Sequence, residues 1–262
     1  VIDTMRYVPL GHDTGLEKKF LSYLIAWFHN IFSAFSKEPS VTYSAIIFPV
    51  FMFALTCLAF FFLVRRIFYD NFENKNIPNL IALISTLFLA VIPSILPRTV
   101  AGIPEKESVG FLFIFLSFYF FICALKSKNY KSLAVYGILS GLSTAALAFT
   151  WGGITFVYMI IGLSVFVMFI LGNIKKKELL AYSIWICVFV ILVIAFTPQF
   201  SIKAHIINFL TSTSTIPVFA SLFFIMFNLF AYPKLKNLKI CKLLTEKYHL
   251  PQEVVSIIFV LA

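Results

Sequence analysis

Two carboxylates, Glu105 and Glu107, stand in the stretch PRTVAGIPEKES between two long apolar runs. Glutamates two residues apart, in a loop or a first helical turn, can converge on one divalent cation, and their hard oxygen donors suit magnesium or manganese. Holding them beside a membrane is tolerable mainly where a cation or an arginine compensates their charge. Arg98, at the end of the preceding run, could pair with a carboxylate or a phosphate, or serve as an interfacial anchor. A plainer reading stands beside this one. Pro104 opens a helix well, and acids in a first turn favour the helix dipole by about 0.3–1 kcal/mol each, so PEKES also reads as the start of the following helix.

Two further stretches offer polar or unusual residues. In FTWGGITF, residues 149–156, a tryptophan at a membrane interface is routine. The glycines after Trp151 permit a tight turn, or close approach of a ligand or a neighbouring helix. In RYVPLGHDTG, residues 6–15, Pro9, Gly11 and Gly15 mark turns. The adjacent His12 and Asp13 could ligate a metal or be solvated. His29, His205 and His249 stand singly, and Cys57, Cys123, Cys187 and Cys241 show no CxxC spacing, so the cysteines read as small packing residues. No Ser-His-Asp arrangement, P-loop, GxGxxG or HExxH occurs, which removes the footing for a hydrolase or a nucleotide motor.

The elements that must position these residues are membrane helices. The chain has 262 residues, 61% hydrophobic and 12% charged, with 33 Phe and a mean hydropathy of +0.97. An ordinary soluble domain is about 45–50% apolar and about 25% charged. A bilayer core about 30 Å thick asks for about 20 apolar helical residues per crossing. Runs of that kind without Asp, Glu, Lys or Arg cover 43–64, 79–97, 108–125, 133–150, 154–174 and 179–201. A seventh, 205–232, is softened by TSTSTIP, so its helix starts late or breaks at Pro217, and an eighth begins near Val254. Residues 20–35 are apolar but short and suit an interfacial or core-packed helix. The expected fold is all-α: residues 1–42 form the end of an extracytoplasmic loop with a short helix, and 43–262 a polytopic bundle of about eight transmembrane helices.

The formal charge of +10 is explained by topology rather than by nucleic acid. If each run crosses once, 14 Lys and Arg fall on one side and 7 on the other, so the first side is cytoplasmic and PRTVAGIPEKES lies outside. Asp3, Asp13, Glu17 and Glu38 join Glu105 and Glu107 on that outer face. The chain starts at Val1 rather than Met and stops at Ala262 inside VVSIIFVLA, so it reads as a fragment.

Jointly these pieces resemble one family, the catalytic subunit of oligosaccharyltransferase, especially its single-subunit archaeal forms. Four features follow in order: Tyr-x-Pro-Leu-Gly (Tyr7 to Gly11) before an apolar helix; Arg-Thr-Val-Ala-Gly-x-x-Glu-x-Glu (98–107) between two spans; Trp-Gly-Gly (151–153) after two more; then three spans with a basic loop. The resemblance covers nearly the whole chain, and the second element is its specific part. It implies a bundle of the GT-C glycosyltransferase type. It also implies transfer of an oligosaccharide from a lipid-linked phosphate or pyrophosphate donor to the asparagine amide of an Asn-x-Ser/Thr acceptor, at a prokaryotic, archaeal-type cell membrane. Glu105 and Glu107 then take the family's role of catalytic ligands to Mn2+ or Mg2+, with Arg98, Trp151 and His12 as substrate-binding neighbours on the outer face.

The sequence departs from the family pattern at two positions. The first acid is usually Asp, and Glu105 is longer by one methylene; His12 stands where many members carry Arg. The family's first-loop aspartate, later outer glutamate and Trp-Trp-Asp acceptor motif are not in the chain, so the fragment is expected to be inactive by itself. Three other readings stay open: another GT-C transferase such as a protein mannosyltransferase, a polytopic transporter whose outer acids form an ion vestibule, and a non-catalytic membrane scaffold.

Overall fold

Capping residues, prolines and glycines decide where the apolar runs become helices. The computed structural model describes residues 2–5, 8–13, 18–35, 40–196, 207, 209, 211–235, 238, 244–245, 248 and 250–261. A two-residue antiparallel ladder pairs β1 (Ile2–Asp3) with β2 (His12–Asp13). Helices α1 (Phe20–Ser33), α2 (Val41–Phe68), α3 (Asn76–Val91) and α4 (Lys106–Leu125) follow. They are succeeded by α5 (Tyr130–Thr150), α6 (Ile154–Ile170) and α7 (Lys176–Phe196). Next come α8 (Ile216–Leu235), which holds a π-helical stretch at Phe227–Ala231, and α9 (Gln252–Leu261). Ser40 and Asn129 accept backbone N–H groups of Tyr43 and Ser132, at 3.1 and 2.7 Å, and so satisfy donors left free at the starts of α2 and α5.

The helices form a membrane bundle, and their lengths differ from the eight crossings expected. Five, α2, α4, α5, α7 and α8, are long and apolar enough to cross a membrane, while α3 and α6 are shorter apolar helices. At 16 and 17 residues the latter two reach about 24–26 Å, short of a full hydrocarbon core. The reasons are local. Pro93 forces Ile92 into an extended conformation (ψ 122), so the 79–97 run stops being helical at Val91, and a short 3-10 turn, Leu96–Arg98, replaces its end. Gly172, in the left-handed region at φ +71, closes α6 well before residue 174. The softened run starts late, with Ile216 and Pro217 in the first turn of α8. The run 179–201 is helical to Phe196, and residues 197–206 lie outside the described set. The eighth run contributes the ten residues of α9.

Small residues and a few polar contacts set how the helices meet. On α5, a Cβ at Gly141 would fall 2.6 Å from Val188 Cβ, and one at Gly137 3.0 Å from Ile184 Cγ2. The missing side chains therefore bring α7 against α5, the usual route to close packing where lipid supplies no hydrophobic drive between helices. Fully buried Trp185 donates its indole N–H to Thr144 Oγ1 at 2.9 Å, and Ser140 donates to the Ser117 carbonyl at 2.8 Å, joining α4, α5 and α7. The Lys126 ammonium donates to the Arg66 and Ile67 carbonyls, both at 3.1 Å. At the opposite end the Gly102 N–H donates to Ile46 O at 3.0 Å. α2 and α4 thus run parallel and pack directly on each other, with α3 returning along α2, so the start of α4 and the end of α5 share one end of the bundle. The short helix α1 packs on that end: Leu21, Leu24, Ile25 and Phe28 lie on the core around Phe48 and Val109, and His29 Nδ1 hydrogen-bonds Ser44 Oγ at 2.9 Å.

Candidate functional site

The loop from Pro97 to Glu105 is held by three backbone features before it reaches the acids. Thr99 is buried, its hydroxyl donating to the Ile95 and Leu96 carbonyls at 3.2 Å each. Gly102 sits at φ +94, a region that residues with a Cβ rarely adopt. Its bond to Ile46 O meets α2 three residues before Pro49. The loop is therefore pinned to α2, and Pro104 delivers the chain to Glu105.

Glu105 is the N-cap of α4, with extended backbone (φ −78, ψ 157). Its carboxylate caps no backbone donor; it accepts a hydrogen bond from Arg98 Nη1 at 2.6 Å instead. The Ser108 hydroxyl, in the first turn, donates back to the Glu105 carbonyl at 2.7 Å. Glu107 lies in the first turn of α4, half-buried like Glu105, where the helix dipole favours a negative charge. On a regular helix residues i and i+2 point apart, but the extended conformation of Glu105 takes it off that geometry. Both carboxylates act on one guanidinium: its hydrogen bond to Glu105 first, then the charges of Glu105 and Glu107, hold the Arg98 pKa above its ordinary value.

The helix-start reading thus accounts for Glu107 and leaves the Glu105 side chain to Arg98. As metal ligands the pair is a partial set. No group of three or more His, Cys, Asp or Glu side chains that could hold a metal occurs among the described residues, whereas magnesium takes six oxygen ligands, several of them commonly water or substrate phosphate. Half-buried carboxylates beside the mouth of a bundle fit that donor chemistry, provided a cation displaces or joins Arg98.

Trp151 comes to the same end from α5, of which it is the C-terminal cap, its N–H donating to Leu147 O at 2.8 Å. Its ring occupies space that two glycines leave empty. A Cβ at Gly110 would meet Trp151 Cε3 at 2.7 Å, and one at Gly153 would collide with the same ring. Phe111 touches it edge-on, with centroids 5.8 Å apart. The Gly pair of the motif thereby separates into two tasks: Gly153 makes room for the tryptophan, and Gly152 lies open. The backbone of His12 pairs with Asp3, while its side chain, like Tyr7, is outside the described residues.

Sequence reasoning passes over Lys18. Its ammonium donates to the Ala148 carbonyl at 2.6 Å, one of the carbonyls left without an intrahelical partner at the end of α5, where a cation also complements the helix dipole. Burial of the charged tip, and then the nearby Lys106 charge, push its pKa below the ordinary lysine value. The residues are 130 positions apart, and the doublet Lys18-Lys19 carries no local signal of such a contact. Arg98 pairs with the acids, Lys106 lies between them in sequence and Lys18 is near Lys106, which gives this end positive charge suited to an anionic ligand.

Known proteins share this arrangement of helices. The Archaeoglobus fulgidus oligosaccharyltransferase, solved with a tethered acceptor peptide containing the NVT sequon, superimposes with a TM-score of 0.69 at 20% identity, over 99% of this chain and 30% of that one. The archaeal oligosaccharyltransferase AglB from Archaeoglobus fulgidus, in complex with an inhibitory peptide and a dolichol-phosphate, gives 0.66 at 19% identity, again over 99% and 30%. At those identities the likeness is one of fold. In sequence, a dolichyl-phosphooligosaccharide-protein glycotransferase of Methanococcus voltae is 27% identical over 162 residues, 61% of this chain and 16% of that protein. The glycosyltransferase subunit STT3A of Oryza sativa is 31% identical over 101 residues, 38% and 12% of the respective chains. The matched part is less than a third of the length of each of these proteins. The family model described as oligosaccharyl transferase STT3, N-terminal, matches residues 2–261, and the chain belongs to that family.

Proposed function

We propose that this chain is the membrane part of an enzyme that transfers an oligosaccharide from a dolichyl phosphate or pyrophosphate type donor to the asparagine amide of Asn-x-Ser/Thr acceptors. The observation that carries this reading is the acid pair: two half-buried carboxylates at the entry to α4, one of them turned onto Arg98 rather than used as a cap. The bundle is of the GT-C type, and the acid-bearing end faces away from the cytoplasm of an archaeal-type cell, because the lysine-rich loops gather at the other end.

An amide nitrogen is a poor nucleophile, so the site must hold it in line with the sugar carbon and take up its proton as the new bond forms. The C–N bond forms as the bond from that carbon to the phosphate oxygen breaks, and the electron pair leaves with the phosphate. Glu105 and Glu107 accept N–H bonds from the acceptor amide and orient it. They would also hold Mn2+ or Mg2+, which supplies neutralisation of the charge growing on the departing phosphate. Arg98 positions Glu105, and the Lys18 and Lys106 ammonium groups draw the anionic donor to this end. The remaining ligands and acceptor contacts come from parts of the enzyme outside this chain.

The test is transfer by the full-length protein from a lipid-linked oligosaccharide to an Asn-x-Ser/Thr peptide, with metal removed by chelation and then restored. Transfer that stops with the chelator and returns with Mn2+ or Mg2+ supports the reading; transfer indifferent to both contradicts it.

A further inference from the structure

At the lysine-rich end of the bundle, an open groove of about 770 Å³ runs between α2 and α3. Its composition changes along its length. Arg65, Asn76 and Asn79 line one end, while Phe61, Leu80 and Leu83 line the rest. From Asn76 to Leu83 an α-helix rises about 10 Å, so the groove descends from headgroup level into the hydrocarbon by roughly the length of half an acyl chain. Leu80 and Leu83 are 57% and 50% exposed, which leaves this wall for lipid.

The polar end is built and positively charged. Arg65 donates its Nε–H to Asn79 Oδ1 at 2.6 Å and lies over the Tyr69 ring at 5.1 Å from the centroid. Lys75 lies on the same ring at 4.3 Å. The neighbouring acid Asp70 is committed elsewhere, paired with Lys126 at 2.9 Å and with Arg66 at 4.0 Å. Among the described residues, no carboxylate pairs with Arg65. Asn79 fixes one edge of the guanidinium and Tyr69 its face. Its terminal amino groups remain for an oxyanion, the fork geometry for which arginine is suited.

We infer that this groove is a binding site for an anionic glycerophospholipid, its phosphate on Arg65 beside Lys75 and one hydrocarbon chain along Phe61, Leu80 and Leu83. Basic pockets between transmembrane helices at the cytoplasmic side are the setting in which such headgroups are held. The site lies at the end of the bundle opposite the acid pair, so its occupancy is separable from glycan transfer.

Native mass spectrometry of the full-length protein, released from nanodiscs of mixed phosphatidylglycerol and phosphatidylcholine, tests the inference. Retention of phosphatidylglycerol over phosphatidylcholine is expected. Arg65→Gln should lower that preference about five-fold, the effect of one interfacial cation, and Arg65→Lys should retain part of it. Leu83→Trp leaves every polar contact of Arg65 in place and fills the groove from its apolar side, so it should displace the lipid from a folded protein. Equal retention of the two lipids would overturn the inference. So would a phosphatidylglycerol preference that survives both Arg65→Gln and Leu83→Trp, or a groove shown to be filled by another transmembrane segment of the full-length protein.

Discussion

The Trp151 ring rests on the Cα of Gly110, in the space where a side chain at that position would stand 2.7 Å from Trp151 Cε3. This contact ties the α5–α6 turn to α4 one turn past Glu107. Trp151 therefore acts on the acids by positioning α4, whatever else it touches in the full-length protein.

Gly110→Ala should lower the stability of the full-length protein by about 1–3 kcal/mol, the range for overpacking a closed contact, because the ring is also confined by Gly153. Trp151→Ala in the same chain removes the clash and should return part of the loss. Thermal unfolding in detergent reads both; single and double variants whose losses simply add would contradict the contact.

Gly102→Ala places a side chain at φ +94, where open space around the position means the strain lies in the backbone alone. About 1–2 kcal/mol is expected, taken up by loosening the loop that ends at Glu105. Glycan transfer should fall more than global stability does. Unchanged transfer with a lowered melting temperature would instead make the loop purely structural.

The origin of these constraints explains how far the sequence could be read. The acids and their end of the bundle are legible because charge is scarce in the chain and sorts by side, and Arg98 lies close enough in sequence to suggest its partner. The early end of α3 is legible too, in Ile92-Pro93, but counting apolar residues hides it: the run stays free of charge to residue 97 while its backbone has already turned. Trp151 on Gly110 and Lys18 on Ala148 are not legible. Each joins segments 41 or 130 positions apart, and nothing in a single run of residues specifies which glycine receives which ring.

Lys18 should titrate below an ordinary lysine, because burial and then Lys106 both disfavour its charged form. In the window between its folded pKa and the ordinary lysine value the unfolded chain binds more protons, so this group makes stability rise with pH there. Trace acetylation against pH should show Lys18 reacting ahead of lysines with ordinary surroundings, and Lys106→Gln should move its midpoint upward. A midpoint indifferent to Lys106 would contradict the arrangement.

A metal ion at Glu105 would have to compete with Arg98 for its carboxylate. The pair is solvent-accessible, with side chains 49% and 32% exposed, so water screens it and its hold on Glu105 is weak. Arg98→Gln should then tighten Mn2+ binding by no more than about five-fold, measured by the paramagnetic signal of free Mn2+. Weaker binding in the variant would place Arg98 among the groups that build the metal site rather than the groups that guard it.

The most direct measurement is glycopeptide formation by the full-length protein carrying Glu105→Gln and Glu107→Gln, singly and together, at saturating lipid-linked donor. Each replacement keeps the shape of the side chain and removes its charge. The expected result is a drop of at least about 100-fold in turnover, the scale at which a positioned acid or base acts, with membrane insertion and thermal unfolding unchanged. Transfer at the wild-type rate in the double variant would contradict the assignment of this acid pair to the reaction.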